Sequence, residues 1–356
     1  MSKIRYVLVG FGGIAENRVA KEGFACDKKR FKPLKNAVLV GAMDLNPSRQ
    51  PAAEALGLKW YSSLEAVLAD KSVDGVYIAT NNRSHVPLAM KALKAGKHVI
   101  VEKPIATSIA DAKALNKLAK AKKLSLTVDH MMVNNAWNVA GKAAMKAGKL
   151  GKINDCCYHM EFAYGYDPAE AATWRCNNVA EMGGPIGDVA SHCFYVAEFM
   201  FGKKITKVSA VYYPKTMKIK AEDGAYIKFF FADGTHGSVN AAFSELRGGL
   251  AGTLTNLGYE VYGDKAAMRG YGTMFQLSGY KDEPIRIRLE IDDGKSVKAV
   301  KPAKIQNIYS TLIDGHAKSV QTKKRLTADD AIHNLALCAA AHASAQKGGK
   351  IIAVKD

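Results

Sequence analysis

The stretch Tyr6-Val-Leu-Val-Gly-Phe-Gly-Gly-Ile-Ala15 decides the fold that we predict for this chain. Its apolar start is typical of a buried strand, and the pattern Gly10-x-Gly12-x-x-Ala15 follows directly. Glycines at this spacing allow a tight turn and let a pyrophosphate come close to the N-terminus of the next helix. The stretch therefore predicts the first strand, turn and helix of a dinucleotide-binding domain. The candidate cofactor contacts in this turn are Gly10, Gly12, Gly13 and Ile14.

A second apolar run, Ala37-Val-Leu-Val-Gly-Ala-Met-Asp44, ends in a carboxylate. An acid at the end of the second strand accepts hydrogen bonds from a ribose diol and repels a 2′-phosphate, so Asp44 favours NAD. Ser48 and Arg49 follow it closely, and an arginine there could contact a phosphate instead. We therefore predict NAD as the cofactor and keep NADP as the alternative.

The chain changes its pattern after about Val128. Up to that point apolar strands alternate with amphipathic helices, which predicts a parallel sheet with right-handed crossovers. Beyond it, longer alternating runs are separated by turn signals such as Ala232-Asp-Gly-Thr235, which favour antiparallel pairing. We predict an α/β plus α+β protein: an N-terminal Rossmann domain with a doubly wound parallel sheet at residues 1–129, and a C-terminal domain built on a large, mostly antiparallel open sheet at residues 130–356.

The composition excludes several classes of protein. The net charge is +18, from 51 Lys and Arg against 33 Asp and Glu, but the lysines are scattered along helices such as Met90–Lys97. Scattered lysines indicate solvated helix faces, whereas clustered ones indicate nucleic acid, so we expect no nucleic-acid partner. No run reaches the ~20 apolar residues of a membrane helix, and the chain opens directly on a strand pattern. We therefore expect a cytoplasmic protein without a membrane partner.

The six cysteines form neither a Cys-x-x-Cys motif nor a zinc-type grouping. Such spacing indicates reduced thiols rather than disulfides or metal ligands. We therefore predict no metal site.

Val99-Ile-Val-Glu-Lys-Pro-Ile-Ala106 places Glu102, Lys103 and Pro104 at the end of a predicted strand, where chemistry in open α/β sheets collects. Together with Gly183-Gly-Pro-Ile-Gly-Asp-Val-Ala-Ser-His192, this segment resembles the glucose-fructose oxidoreductase, inositol dehydrogenase and rhizopine-catabolism (Gfo/Idh/MocA) family nearly end to end. The resemblance implies a cis bond before Pro104. It also implies an oxidoreductase that oligomerises, as a dimer or tetramer, through its C-terminal sheet.

The same resemblance implies further cofactor contacts. Thr80, Asn82 and His85 match a family stretch along the nicotinamide, although Asn81 stands where the family has proline. Trp174-Arg175 matches a Trp-Arg pair near the cofactor. Glu102 and Lys103 complete this predicted set.

The predicted catalytic residues are Lys103, Asp188 and His192. Asp188 and His192 lie four apart on a predicted helix and so share a face, which we expect to be a polar flank beside an apolar stripe. Oxidising a secondary alcohol needs a base near neutral pH, and histidine titrates there. We expect His192 to move the hydroxyl proton, Asp188 to orient it or bind substrate, and Lys103 to polarise the oxygen. A buried lysine could also be the acid-base group.

The predicted substrate contacts lie where the sequence departs from many relatives. Asp129-His-Met-Met-Val-Asn-Asn-Ala-Trp137 lacks the arginine and proline they carry, so His130 and Asn135 offer uncharged hydrogen bonds. Tyr164 could stack on a pyranose, and Asp188 could bind a hydroxyl. Helix-capping asparagines are the other interpretation of the loop.

We therefore predict an NAD-dependent oxidoreductase that transfers hydride between nicotinamide and a secondary hydroxyl of a sugar, cyclitol or glycoside, such as a glucoside C3. One alternative is a deglycosylation that begins with oxidation, because a 3-ketone acidifies the C2 proton. The other is a non-catalytic nucleotide-sensing regulator, since a fold does not fix a function.

Overall fold

The computed structural model describes residues 2–246, 255–275, 287–304 and 307–356. These residues form two compact units. The first comprises residues 2–134 and 307–332, and the second comprises residues 135–246, 255–275, 287–304 and 333–356. The domain boundary after residue 129 stays a prediction, and the structure adds that the helix Ile308–Gln321 belongs with the first unit.

The first unit contains a parallel sheet of six described strands in the order β3-β2-β1-β4-β5-β6. This confirms the predicted doubly wound sheet. The strands are β1 Ile4–Val9, β2 Ala37–Met43, β3 Lys59–Trp60, β4 Gly75–Ile78, β5 His98–Val101 and β6 Leu126–Val128. The helices and helical turns are Ala15–Gly23, Pro47–Arg49, Gln50–Glu54, Leu64–Ala69, Asn82–Lys94, Ile109–Lys122, Met131–Asn134 and Ile308–Gln321.

Gly10 makes the turn after β1 possible. Its φ is +87°, in the left-handed region, and a Cβ there would lie 2.5 Å from the carbonyl oxygen of Ala79. Only glycine fits both conditions without strain. The strand order reverses between β1 and β4, so this turn lies at the switch point where doubly wound sheets bind ligands.

The second unit contains a sheet of nine described strands in the order β14-β13-β12-β11-β7-β10-β9-β8-β15. Neighbours are antiparallel except β7 and β10, which confirms a mostly antiparallel sheet. The strands are β7 Ile153–Glu161, β8 Ile205–Tyr212, β9 Gly224–Phe231, β10 His236–Ala242, β11 Tyr259–Gly263, β12 Ala267–Tyr271, β13 Arg288–Asp292, β14 Val297–Ala299 and β15 Ile352–Ala353. The helices and helical turns are Ala136–Lys146, Tyr164–Tyr166, Pro168–Ala171, Trp174–Asn177, Val179–Glu181, Ile186–Ala190, Ser191–Phe201 and Thr255–Leu257. The helix Asp329–Ala345 begins in the first unit and continues in the second.

This sheet buries one face and leaves the other open. Tyr158 and Phe229 are fully buried, whereas Tyr226, which points the opposite way along β9, is 56% exposed. The helix Ser191–Phe201 packs on the buried face, where the Tyr158 hydroxyl lies 3.6 Å from the Met200 sulfur. We call the exposed side, marked by Tyr226, the open face. Within the described ranges, no helix combines the length and apolar character needed to cross a bilayer.

Candidate active site

The glycine turn of the first unit forms an open cradle. A Cβ built on Gly12 or Gly13 would meet no heavy atom of the described chain within 4 Å, so the backbone of this turn is accessible from outside. Ile14, at the start of the helix, is 47% exposed. An accessible helix N-terminus with an exposed apolar side chain fits a pyrophosphate and its attached nucleoside. These residues therefore fit NAD.

Asp44 at the end of β2 is held against this turn. Its Oδ2 accepts a hydrogen bond of 2.6 Å from the Phe11 amide, and its Oδ1 accepts one of 2.8 Å from the Asn46 amide. Its side chain is partly exposed, so a ribose diol can reach the carboxylate. Leu45, the next residue, is 91% exposed.

Arg49 is engaged inside the protein. Its Nε donates to the Phe11 carbonyl at 2.7 Å, and its guanidinium pairs with Glu16. Hydrogen bonds from Lys21 and then Arg49 hold the pKa of Glu16 below its ordinary value, although burial opposes them. A guanidinium committed in this way is poorly placed to take a 2′-phosphate, which agrees with NAD.

His85 joins two loops of the first unit. Its side chain is buried, with Nδ1 at 2.8 Å from the Pro104 carbonyl and Nε2 at 3.3 Å from the Thr80 carbonyl. Burial lowers the pKa of His85, so the ring is neutral and donates at the shorter contact. The Lys103–Pro104 peptide bond is cis, as the resemblance implies. Asn82, at the start of its helix, is also buried. The structure therefore places His85 as a support for the Lys103 segment.

A buried acidic cluster lies directly behind Lys103, and the sequence prediction missed it. The Tyr77 hydroxyl lies 2.5 Å from Asp129 Oδ2 and 3.1 Å from Glu102 Oε1. Burial raises the pKa of Asp129 well above its usual range, and the neighbouring Glu102 charge adds to the effect. Burial also raises the pKa of Glu102, against the attraction of Lys103. We interpret the pair as sharing one proton, held by Asp129, which leaves Glu102 anionic beside Lys103.

In the second unit, Asp188 lies in a π-helical turn, Ile186–Ala190, which continues as the α-helix Ser191–Phe201. The carboxylate of Glu222 accepts a hydrogen bond of 2.9 Å from the Ile186 amide and so caps this start. The helix ends at Gly202, whose φ is +64°. The structure therefore confirms the predicted helix at Asp188 and His192.

Arg175 lies beside Asp188 in this unit, and two aromatic side chains are connected to the pair. Arg175 Nε lies 3.4 Å from Asp188 Oδ2, and the Arg175 guanidinium stacks on the Trp174 ring at 4.9 Å. Tyr164 is partly buried, and burial raises its pKa, with a further contribution from Glu170. This arrangement combines an aromatic surface with charged hydrogen-bonding groups, the mixture that ligand sites in proteins commonly show.

His192 is buried, with 4% of its surface exposed. The expected polar flank is therefore wrong for this position, because the helix is covered on nearly all sides. Ser191 and Glu198 of the same helix are buried as well. The Asn334 side chain donates to the Ser191 carbonyl, and Glu198 pairs with His333 at 2.9 Å. Lys103 belongs to the first unit and Asp188 and His192 to the second.

The three predicted substrate contacts His130, Asn135 and Tyr164 differ in burial. Asn135 is fully buried, and its Oδ1 accepts from the Trp137 amide at 3.0 Å, so it caps the helix Ala136–Lys146. We correct the prediction that Asn135 contacts substrate, because its side chain supports that helix. His130 is buried in the first unit. Tyr164 remains partly exposed and stays a candidate.

The glycine turn, the acid after β2 and the Lys103 segment define a nicotinamide-dependent oxidoreductase with a separate sheet domain. Comparison with known proteins agrees with this class. The oxidoreductase family model with an NAD-binding Rossmann fold matches residues 4–130, and the GFO/IDH/MocA C-terminal domain model matches residues 139–269. The chain therefore belongs to the Gfo/Idh/MocA oxidoreductase family and has an NAD-binding Rossmann domain.

The relatives include enzymes that are named for sugars and cyclitols. A 1,5-anhydro-D-fructose reductase of Ensifer adhaerens is 26% identical over 283 residues, which are 78% of this chain and 79% of that protein. A scyllo-inositol 2-dehydrogenase (NAD(+)) of Bacillus subtilis is 28% identical over 211 residues, covering 58% of this chain and 56% of that one. These names support an enzyme that acts on CH–OH groups.

Solved structures share the fold over the whole chain. An aldose-aldose oxidoreductase from Caulobacter crescentus aligns with a TM-score of 0.84 at 21% identity, covering 99% of both chains. A levoglucosan dehydrogenase in complex with NADH and levoglucosan aligns with a TM-score of 0.80 at 22% identity, covering 100% of both. At these identities the similarity establishes the fold.

Proposed function

We propose that this protein is an NAD-dependent dehydrogenase for a secondary hydroxyl of a sugar, cyclitol or glycoside. The observation that carries the proposal is the pair of Asp188 and Arg175, with the Arg175 guanidinium stacked on the Trp174 ring. Asp188 lies on the element that leads into the His192 helix. Charged hydrogen-bonding groups next to an aromatic face are suited to several hydroxyls on one ring. The names of the relatives point to the same substrate class.

The proposed roles follow from the chemistry of each side chain. When bound, nicotinamide supplies the hydride acceptor. His192 takes the hydroxyl proton as the alcohol is oxidised, because a neutral imidazole is a base in the neutral range. Lys103, next to Glu102, polarises the reacting oxygen. Asp188 binds a substrate hydroxyl or orients His192.

The first test is NAD reduction, followed at the nicotinamide absorbance, against inositols, free aldoses and aryl glucosides, with NADP in parallel. Turnover with one class and NAD supports the proposal. A stable 3-keto glycoside would identify glucoside C3 as the position, and free aglycone would indicate deglycosylation. Binding of NAD without turnover on any substrate would support the nucleotide-sensing alternative.

Two variants separate the roles of the proposed acid-base groups. We expect His192→Asn to lower kcat by about 100-fold or more, and to remove the ionisation near neutral pH from the pH profile. Lys103→Met should lower kcat across the whole pH range. If His192→Ala retained near-full turnover while Lys103→Ala abolished it, the base would be Lys103.

We also propose that the protein is a cytoplasmic homo-oligomer, a dimer or tetramer, paired through the open face of the nine-stranded sheet. Val211, Tyr226 and Tyr262 on β8, β9 and β11 are 47%, 56% and 38% exposed. Exposed apolar and aromatic residues on one sheet are typical of an interface between subunits.

A further inference from the structure

The open face of the nine-stranded sheet brings a thiol, an imidazole and two carboxylates together. Cys157, His159 and Glu161 alternate along β7, so their side chains leave the same side of the strand. On the neighbouring strand β11, Glu260 pairs directly with Cys157. Cross-strand partners on one face lie close enough for their side chains to touch. The register of two strands therefore creates this cluster.

The donor atoms of three of these residues converge. The potential ligand atoms of Cys157, His159 and Glu260 all lie within 4.8 Å of one another. His159 Nε2 lies 3.0 Å from Glu260 Oε2. Ligands around a tetrahedral zinc ion lie roughly 3.3–3.6 Å apart, as bond lengths of about 2.0–2.3 Å require.

A carboxylate lies near the second nitrogen of His159. Its Nδ1 lies 3.6 Å from Glu161 Oε2, on the side of the ring away from the Glu260 contact. Metal-ligating histidines almost always present their other nitrogen to a carboxylate or carbonyl, which orients the ring and makes it a stronger ligand. Glu161 is in position for this supporting role.

We propose that Cys157, His159 and Glu260 bind one divalent transition-metal ion of the zinc class, with Glu161 supporting the imidazole. Thiolate, imidazole and carboxylate are the ligand types that Zn²⁺ takes in proteins, and three protein ligands leave one position for water. The side chains of His159, Glu161 and Glu260 are 20%, 13% and 25% exposed, so an ion can enter and is still partly shielded. The site is separate from the proposed catalytic residues, and it lies on the open face beside Tyr262 of the proposed subunit contact.

The same cluster without an ion is a network of hydrogen bonds and ion pairs. Burial lowers the pKa of His159, but hydrogen bonds to Cys157, Glu161 and Glu260 outweigh it and raise the pKa to about 12. Zn²⁺ must therefore displace a proton from this ring, and its binding releases protons. Arg269, opposite Glu260 on β12, is paired with Asp292 at 3.1 Å, which directs its charge away from the cluster.

The test is direct titration of the metal-free full-length protein with Zn²⁺, by calorimetry and by competition with a chromophoric chelator. We expect one ion per chain. Cys157→Ser and His159→Gln should each weaken binding by about 100-fold or more, and Glu161→Gln by about 10- to 100-fold. Substitution with Co²⁺ should give a thiolate-to-cobalt charge-transfer band that Cys157→Ser abolishes.

Two matched variants serve as controls. Cys26→Ser changes another partly exposed thiol, and His236→Gln changes another partly exposed imidazole on the same sheet. Both should bind Zn²⁺ as the unaltered protein does. The proposal is overturned if the unaltered protein binds no stoichiometric Zn²⁺, or if Cys157→Ser and His159→Gln, folded by circular dichroism, bind as tightly as the controls. It is equally overturned if Co²⁺ binds without the charge-transfer band.

Discussion

Asp129 is the single residue whose charge state most affects the candidate site. It is fully buried, touches Tyr77 and Glu102, and keeps a proton that an exposed aspartate would lose near pH 4. This proton allows Glu102 to stay anionic beside Lys103. Without it, two buried negative charges would compete for one cation. Asp129 thus supports the segment that carries Lys103, which the proposed reaction uses.

We predict that Asp129→Asn flattens the pH dependence of stability. Because the folded pKa of Asp129 is raised, its contribution is fully present below about pH 4 and is lost as pH rises towards the folded pKa. The asparagine mimics the protonated acid and cannot lose a proton. Urea unfolding at pH 5 and pH 8 should therefore show a smaller loss of free energy in the variant. An equal loss of unfolding free energy in Asp129→Asn and in the unaltered protein would contradict this. The control is Asp155→Asn, which changes an exposed aspartate and should behave as the unaltered protein does.

Gly10 and Gly12 have different roles: Gly10 is required by the fold, whereas Gly12 faces the proposed cofactor site. Gly10→Ala places a Cβ 2.5 Å from a backbone oxygen at a φ of +87°, so we expect a loss of about 1–3 kcal/mol in the free energy of unfolding. Gly12→Ala meets no described atom within 4 Å, so stability should change by less than about 0.5 kcal/mol. Binding of NAD to Gly12→Ala should weaken at least tenfold. Equal stability of the two variants would refute this distinction.

At the level of elements, β5 and the helix Ile308–Gln321 enclose two neutral histidines in the first unit. His98 Nδ1 accepts a hydrogen bond of 3.0 Å from the Ser125 amide, and His316 Nδ1 lies 2.7 Å from the Tyr6 hydroxyl. Burial lowers the pKa of His98 to about 4 and that of His316 to about 3. Both rings must therefore stay unprotonated for the helix to remain packed.

We predict acid sensitivity from these two rings. Their folded pKa values are depressed, so the unfolded chain binds more protons below about pH 6.5, and stability falls as pH drops towards 4. Replacing His98 with Asn, which keeps an acceptor, should reduce this fall between pH 7 and pH 5. Chemical denaturation at both pH values measures it, with His236→Asn as the control. An unchanged fall in His98→Asn would show that other groups cause it.

The sequence predicts the strands and helices better than the burial and long-range contacts of their side chains. Alternating runs and turn signals predicted a mostly antiparallel second sheet, and spacing predicted the helix that carries Asp188 and His192; the structure has both. The short strands β12, β14 and β15 were missed because runs of two to five residues carry little periodicity. The burial of His192 and the Asp129 cluster were also missed. Both depend on residues far apart in sequence, such as Asn334 against Ser191 and Tyr77 against Asp129.

The proposed subunit contact through the open face concerns the whole molecule, and measuring the molar mass in solution tests it. The chain has a mass of 38.4 kDa, so light scattering after gel filtration should give a multiple of that value. Tyr226→Lys places a charge on β9 in the open face and should shift the mass towards 38.4 kDa. Tyr166→Lys is the matched control, because Tyr166 is also 56% exposed but lies outside the sheet. An unchanged mass for Tyr226→Lys would place the contact elsewhere.

The return of the helix Ile308–Gln321 to the first unit has a consequence for how this protein can be divided. Asp314 accepts two hydrogen bonds of 2.7 Å from Asn36, and Ile313 fills the space beside Gly23. A fragment cut after residue 129 would lack this helix and expose the apolar surface that Ile313 covers. A continuous piece that ends at residue 129 is therefore not equivalent to the whole nucleotide-binding unit, because one of its packed helices comes from late in the chain.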